Sequence, residues 1–223
     1  NPPPPDKVEQ CLEDCLSYMR LEGMQIQTQG LIVRMAISHA HFEAVHPFRD
    51  GNGRTGRLLL PLMMAAEKRP PLYLAPYIEA NKDAYYDALR RAQQRLDWDP
   101  IIGFMASAIR DTVDEMAVTR RALHRLRGLW EQQRRFRQGS AALRSLELLP
   151  HYPVLTIKRL ASLLDVSFPA ASTAVTALVE AGILKERTRF ARNRSFVAHE
   201  VLTVINRPFG VPPVLPETPF QAD

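Results

Sequence analysis

A chain of 223 residues has room for one large domain or for a domain and a small module, and 46% hydrophobic with 24% charged residues is an ordinary globular composition. No apolar run approaches the roughly 18 residues a membrane span requires; the best candidate, Leu58 to Ala66, is short and contains Pro61. The formal charge of +5 is modest but uneven: between Arg120 and Arg144 stand eight arginines and one acid, Glu131. That stretch reads either as a solvated helix face or as a surface for nucleic acid or nucleotide phosphates.

Asn1 and four prolines open the chain where a secretory signal would need a basic and then an apolar stretch, and the missing initiator Met leads us to expect a fragment. Asp6 can cap a first helix running to about Glu22, whose apolar stripe (Val8, Cys11, Leu12, Cys15, Leu16, Met19) carries both cysteines. Two thiols on a buried stripe, with no second ligand pair at zinc spacing, point to a reducing compartment, the cytoplasm. A second helical pattern (Leu31, Ile32, Met35, Ala36, Phe42, Val45) leads to His46, and Pro47 with Asp50-Gly51-Asn52-Gly53 must break it. A third helix starts near Arg54 and runs to Pro70-Pro71, and further helices are expected at about Glu79 to Arg95, Pro100 to Leu126 and Leu129 to Leu149. After Pro153 the pattern changes to a short helix (Ile157 to Leu164), a turn at Asp165-Val166-Ser167 and a second helix (Pro169 to Ala181). Two β-prone strips, Ile183 to Thr188 and Arg194 to Ala198, then flank a basic turn, and the proline-rich tail from Pro208 is expected to be extended.

The segment from His46 to Arg57 has a physical logic of its own. Gly51 and Gly53 let consecutive backbone N–H groups turn inward, and the helix starting near Arg54 adds free N-terminal amides and the positive end of its dipole, which together make an anion cradle. Arg54 and Arg57 fall on one helical turn and can reach a polyphosphate with forked donors, while Asp50 is a hard oxygen ligand suited to Mg²⁺ beside phosphates. His46, at the end of the preceding helix, can take a proton near neutral pH. His39, Glu43 and His46 also share one helical face at spacings of four and three, which would suit a metal; a metal on His46 would block that proton transfer.

His46-Pro47-Phe48-Arg49-Asp50-Gly51-Asn52-Gly53-Arg54-Thr55-Gly56-Arg57 resembles, at every fixed position, the Fic-family signature His-Pro-Phe-x-Asp/Glu-Gly-Asn-Gly/Lys-Arg-x-x-Arg. The resemblance implies transfer of AMP from ATP to Ser, Thr or Tyr hydroxyls of proteins, with ATP as co-substrate, Mg²⁺ as cofactor and pyrophosphate as by-product. It implies His46 as general base, Asp50 on Mg²⁺, Gly51 and Gly53 lining the phosphate cradle, and Asn52 on the α-phosphate. Arg54 and Arg57 would hold the outer phosphates, Thr55 and Gly56 complete the ATP-binding segment, and Phe48 would anchor the loop. Pro2 to Pro5 is similar to the family's proline-rich exit from a target-positioning hairpin, and Tyr85-Tyr86 falls where relatives line the sugar and base; an aromatic pair on a helix also suits a core. A lysine at Gly53 would resemble the relatives that act as kinases. The family's inhibitory Ser/Thr-x-x-x-Glu-Gly/Asn helix, whose glutamate engages the second motif arginine, has only Thr176 to Glu180 as a counterpart, and Ala181 departs from the pattern.

Residues 156 to 198 resemble a winged helix-turn-helix, with Arg187, Arg189, Arg192 and Arg194 about the wing and Ser172, Thr173 and Thr176 on the second helix. That helix lacks Arg, Asn or Gln to read base edges. The expected fold is mainly α: a Fic-type helical core over 1–125, a linking helix over 126–152, a winged-helix module over 153–207 and a tail over 208–223. The leading reading is a protein adenylyltransferase. Its rivals are a DNA-binding transcriptional regulator that senses a nucleotide and an enzyme that removes AMP. The partners these readings admit are a protein with an exposed hydroxyl, DNA or protein on the winged-helix module, and a second copy of the chain, with no membrane.

Overall fold

The structure, a computed structural model, describes residues 2–22, 30–133, 136–188 and 194–216. The chain is mainly helical and divides into two compact units, 1–115 and 116–223.

Unit 1 is built around one helix. After a 3₁₀ turn at Pro5–Lys7 come α1 (Val8–Arg20), α2 (Leu31–Val45), α3 (Asn52–Ala66), α4 (Ala75–Ala80), α5 (Lys82–Arg95) and the first part of α6 (Asp99–Gln133). Asp6 is taken up in the opening turn and caps nothing, and α1 stops at Leu21, a left-handed residue. The expected helix from Glu79 to Arg95 is instead two, because the chain breaks at Asn81. Helix α2 packs against α1, α3 and α5 and is buried on several sides through Met35, Ala36, Ala40, Phe42 and Val45, which makes it the central element. Cys15 of α1 is fully buried against it, its thiol donating to Ser38 O at 3.5 Å, and burial pushes the thiol up to about 11. Arg34 of α2, nearly buried, pairs with Glu67 just past α3 and donates to Met19 O in α1 at 3.3 Å, so one guanidinium ties three helices together.

Unit 2 takes the rest of α6, then α7 (Ala141–Leu148), β1 (Val154–Thr156), α8 (Ile157–Leu164), α9 (Phe168–Glu180), β2 (Lys185–Glu186), β3 (Ser195–Val197) and α10 (His199–Ile205). Side-chain caps set three of these helices: Ser140 Oγ accepts from Leu143 N, Thr156 Oγ1 from Arg159 N and Ser167 Oγ from Ala170 N. The sheet is antiparallel in the order β1-β3-β2, with Leu155 opposite Phe196 and Lys185 opposite Val197. Leu126, Trp130, Leu146, Leu160, Leu178 and Phe196 form its core. Where a break near Gly128 was expected, α6 runs unbroken to Gln133: nothing crowds Gly128, and Trp130 beyond it is anchored in the core with its indole N–H on Glu200. Arg189 and Arg192 of the expected wing, Arg134 and Arg135 of the basic stretch, and the end of the tail lie outside the described residues.

Candidate active site

The junction between α2 and α3 is shaped by two left-handed residues. His46 follows the last residue of α2 at φ 51° and ψ 56°, its N–H bonded to Phe42 O at 3.1 Å. A non-glycine residue in this region costs about 1–2 kcal/mol, and such strain gathers where a side chain has to be aimed. The His46 side chain is exposed. Gly51, at φ 82°, turns the chain into α3. Asn52, the first residue of α3 and only 2% exposed, staples the loop: Phe48 N–H donates to its Oδ1 at 2.8 Å, and its Nδ2 donates to Phe48 O at 2.6 Å. Phe48 itself is half exposed, its ring 6.4 Å from that of Phe42.

The first bond of α3 runs from Thr55 N–H to Gly51 O at 2.9 Å. It leaves the N–H groups of Asn52, Gly53 and Arg54 without acceptors inside the helix. Around these amides stand the two arginines. Arg54 folds back over Gly51 to Asp50, Nη2 to Oδ2 at 3.1 Å, in a pair open to solvent on both sides. Arg57 lies against Gly53, its Nη1 3.1 Å from where a Cβ on that glycine would sit. Thr55 is half-buried, and Gly56 faces away from the cradle, toward α2: a Cβ there would meet Glu43 Oε1 at 2.5 Å and ring carbons of His39 and Phe42 at 3.2 Å.

Under the loop lies a buried polar cluster. His39 Nε2 shares a 2.7 Å hydrogen bond with Tyr85 Oη, and Glu43 Oε1 is 3.9 Å from the same nitrogen. Burial pushes His39 down to about 4, with the Arg57 charge adding to it and the Gly56 backbone partly opposing, so the imidazole is neutral near pH 7. Burial likewise raises Glu43, with Arg57 and then His46 pulling it down, and raises Tyr85, with Glu43 adding. Tyr85 is therefore a core residue whose hydroxyl is already engaged, whereas Tyr86, its ring tilted 55° to that of Tyr85 at 5.2 Å, is 55% exposed. The metal trio of His39, Glu43 and His46 does not assemble: no group of three His, Cys, Asp or Glu able to hold a metal exists among the described residues. Sequence reasoning missed the His39–Tyr85 bond and the Arg34–Glu67 pair; the signal for both was a polar residue on an otherwise apolar helix, Arg34 and His39 on α2.

Residues 1–64 match the Fic/DOC family. The chain carries a Fic/DOC domain. A probable protein adenylyltransferase of Aquifex aeolicus is 33% identical to it over 94 residues, 42% of this chain and 27% of that protein. A protein adenylyltransferase of Caenorhabditis elegans is 37% identical over 105 residues, 47% of this chain and 20% of its own length. The chain thus spans about a quarter or less of the length of these curated relatives. A crystallised Fic family protein of Desulfovibrio desulfuricans G20 aligns with 88% of this chain and 56% of its own at 23% identity and a TM-score of 0.47, a likeness too loose to bear on the fold. The matched residues of the Fic/DOC domain include the whole of His46 to Arg57.

Outside that domain, Arg120, Arg121, His124 and Arg125 of α6 line, with Ala117, an open depression of about 530 Å³. Other arginines of the stretch are engaged: Arg127 with Glu131 and Glu147, and Arg144 with Leu164 O at 2.6 Å. On α9 the exposed positions include Phe168, Thr173 and Thr176, and Arg194 is bound to Glu186 through two hydrogen bonds. No helix among the described residues is by itself long and apolar enough to cross a membrane.

Proposed function

We propose that the Fic/DOC domain is the catalytic part of a protein adenylyltransferase that moves AMP from MgATP to a hydroxyl side chain of a target protein. The observation that carries this reading is the cradle at the start of α3: three backbone N–H groups free of helical acceptors, two glycines, two arginines and an exposed histidine at its rim. The N–H groups and guanidinia bind a polyphosphate and orient it. His46 takes the proton of the target hydroxyl as its oxygen attacks the α-phosphorus. The bond from that phosphorus to the bridging oxygen breaks on the opposite side, and pyrophosphate carries away the electron pair.

Asp50 fits the metal that such a nucleotide brings. Its carboxylate is almost fully exposed and, among the described residues, its partner is Arg54, so oxygen lone pairs remain for a cation. One carboxylate beside phosphates is the usual protein share of a Mg²⁺ site, and the ion when bound neutralises charge on the phosphates. Tyr86 is the member of the aromatic pair with surface to offer the base or sugar.

The rival readings have less behind them. On α9 the exposed face presents hydroxyls and small or apolar groups rather than residues that read base edges, and Thr176 and Glu180, the one counterpart of an inhibitory motif, lie in α9 within unit 2. Transfer of label from α-labelled ATP to protein tests the proposal: His46→Ala should lower the rate by about 10² to 10⁴ while leaving ATP affinity within a few fold. Comparable rates for variant and parent would remove His46 from its role.

A further inference from the structure

Beneath the cradle lies a carboxylate oxygen with no donor. Glu43 sits on α2 just ahead of His46, its side chain only 13% exposed, and its Oε1 has no hydrogen-bond partner. The imidazole at 3.9 Å supplies no countercharge, since His39 is neutral and already bonded to Tyr85. Positive charge reaches Glu43 from the other side, from Arg57 first and His46 second. Gly53 shows how: the point where its Cβ would sit is 3.1 Å from Arg57 Nη1 and 3.9 Å from Glu43 Oε1. Guanidinium and carboxylate therefore border the same small space at Gly53, without a hydrogen bond between them.

Burying a carboxylate without a donor is costly, and an unsatisfied group of this kind calls for a use. We infer that Glu43 is a positioning residue for the proposed transfer, its carboxylate attracting the Arg57 guanidinium across the space at Gly53 and so keeping it at the lip of the cradle, where the outer phosphates of a nucleoside triphosphate arrive. The inference rests on the adenylyl-transfer reading. Its physical content is narrower than that reading. It makes Arg57 a donor set in place before the nucleotide binds, so that less ordering is left to be done on binding. The role is specific to phosphates beyond the first, because Arg57 is the group Glu43 acts through.

Glu43→Gln keeps the volume and removes the charge. With MgATP and with AMP as calorimetric probes, the variant should bind MgATP about tenfold more weakly, the size of one weakened charged contact, and AMP unchanged within about twofold. In the Arg57→Ala background the same substitution should cost nothing further. Equal losses for MgATP and AMP, or an undiminished loss in that background, would overturn the inference. Melting midpoints of the parent, both single variants and the double variant, taken without nucleotide, provide an arm that does not depend on the activity: the two substitutions should be non-additive, and additive shifts refute the coupling. If the parent itself fails to bind MgATP, the transfer reading falls, and the melting arm still decides whether Glu43 holds Arg57.

Discussion

Gly56→Ala is the substitution that most directly tests how closely α2 and α3 are packed beneath the cradle. In an ordinary helix interior the change gains about 1 kcal/mol, because alanine loses less backbone entropy than glycine. Here the new methyl would lie 2.5 Å from Glu43 Oε1 and 3.2 Å from both His39 Cε1 and Phe42 Cδ1. The carboxylate can swing aside; the two rings cannot, since His39 is 1% exposed and bonded to Tyr85 at 2.7 Å, and Phe42 is 2% exposed. Overpacking of this kind costs about 1–3 kcal/mol. Against the helix gain, a net loss of up to about 2 kcal/mol remains, which lowers the melting midpoint by up to roughly 8 °C. Gly103→Ala is the matched control: it lies in α6 within the same unit, exposed, with nothing within 4 Å of its Cβ, and should stabilise by about 0.5–1 kcal/mol. Melts of the two variants followed by circular dichroism should move in opposite directions. A Gly56→Ala protein as stable as the Gly103→Ala protein would refute the close packing.

Asp50→Ala should weaken binding of MgATP strongly yet leave metal-free ATP binding equal or slightly tighter, since it also releases Arg54; equal losses with and without Mg²⁺ in calorimetry would reduce Asp50 to a turn residue. His39, lowered by burial from 6.5 to about 4, contributes stability that is complete above pH 6.5 and is lost as pH falls toward 4, while the raised Glu43 acts in the opposite sense by favouring the folded state when protonated. His39→Gln should therefore remove the acid-side loss between pH 6.5 and 4 in denaturant titrations, and an unchanged slope would count against a neutral buried imidazole.

What was legible in the sequence was local. The cradle is contiguous, so glycine placement and the start of α3 set its geometry without help from distant residues. The helices at Ile157–Leu164 and Phe168–Glu180 could be located because Thr156 and Ser167 cap them. Features that depend on partners far along the chain were not legible. Neighbouring helix residues point about 100° apart, and here Tyr85 is buried while Tyr86 is exposed. Which one turns inward is decided by His39, 46 residues earlier. The metal trio failed for a backbone reason: spacings of four and three keep a common face only while the helix continues, and α2 ends at Val45, with His46 left-handed. Asn52 also closes the loop on Phe48 and Gly56 admits α2, two packing roles that the motif by itself does not show. Strand β1 and helix α10 are short and β-branched in sequence, and only pairing with Phe196 and burial of Val201 and Val204 distinguish them.

On the proposed adenylyl-transfer reading, binding of a nucleotide would exchange the charge partners around the cradle. Arg54 is paired with Asp50, whereas Arg57 and Glu43 border the same space at Gly53 without a hydrogen bond between them. The two carboxylates differ in what happens when a polyphosphate draws the arginines away. Asp50 is open to water, and an exposed pair of that kind contributes little, so separating it is easy and leaves an oxygen ligand ready for the metal that accompanies the nucleotide. Glu43 lies between α2 and α3 with its side chain only 13% exposed, so water compensates its charge poorly there. A nucleotide that pulled Arg57 fully off Gly53 would strand that carboxylate. On the proposed reading, the outer phosphates would therefore come to Arg57 where Glu43 still acts on it, and the buried acid would constrain where the triphosphate sits relative to His46.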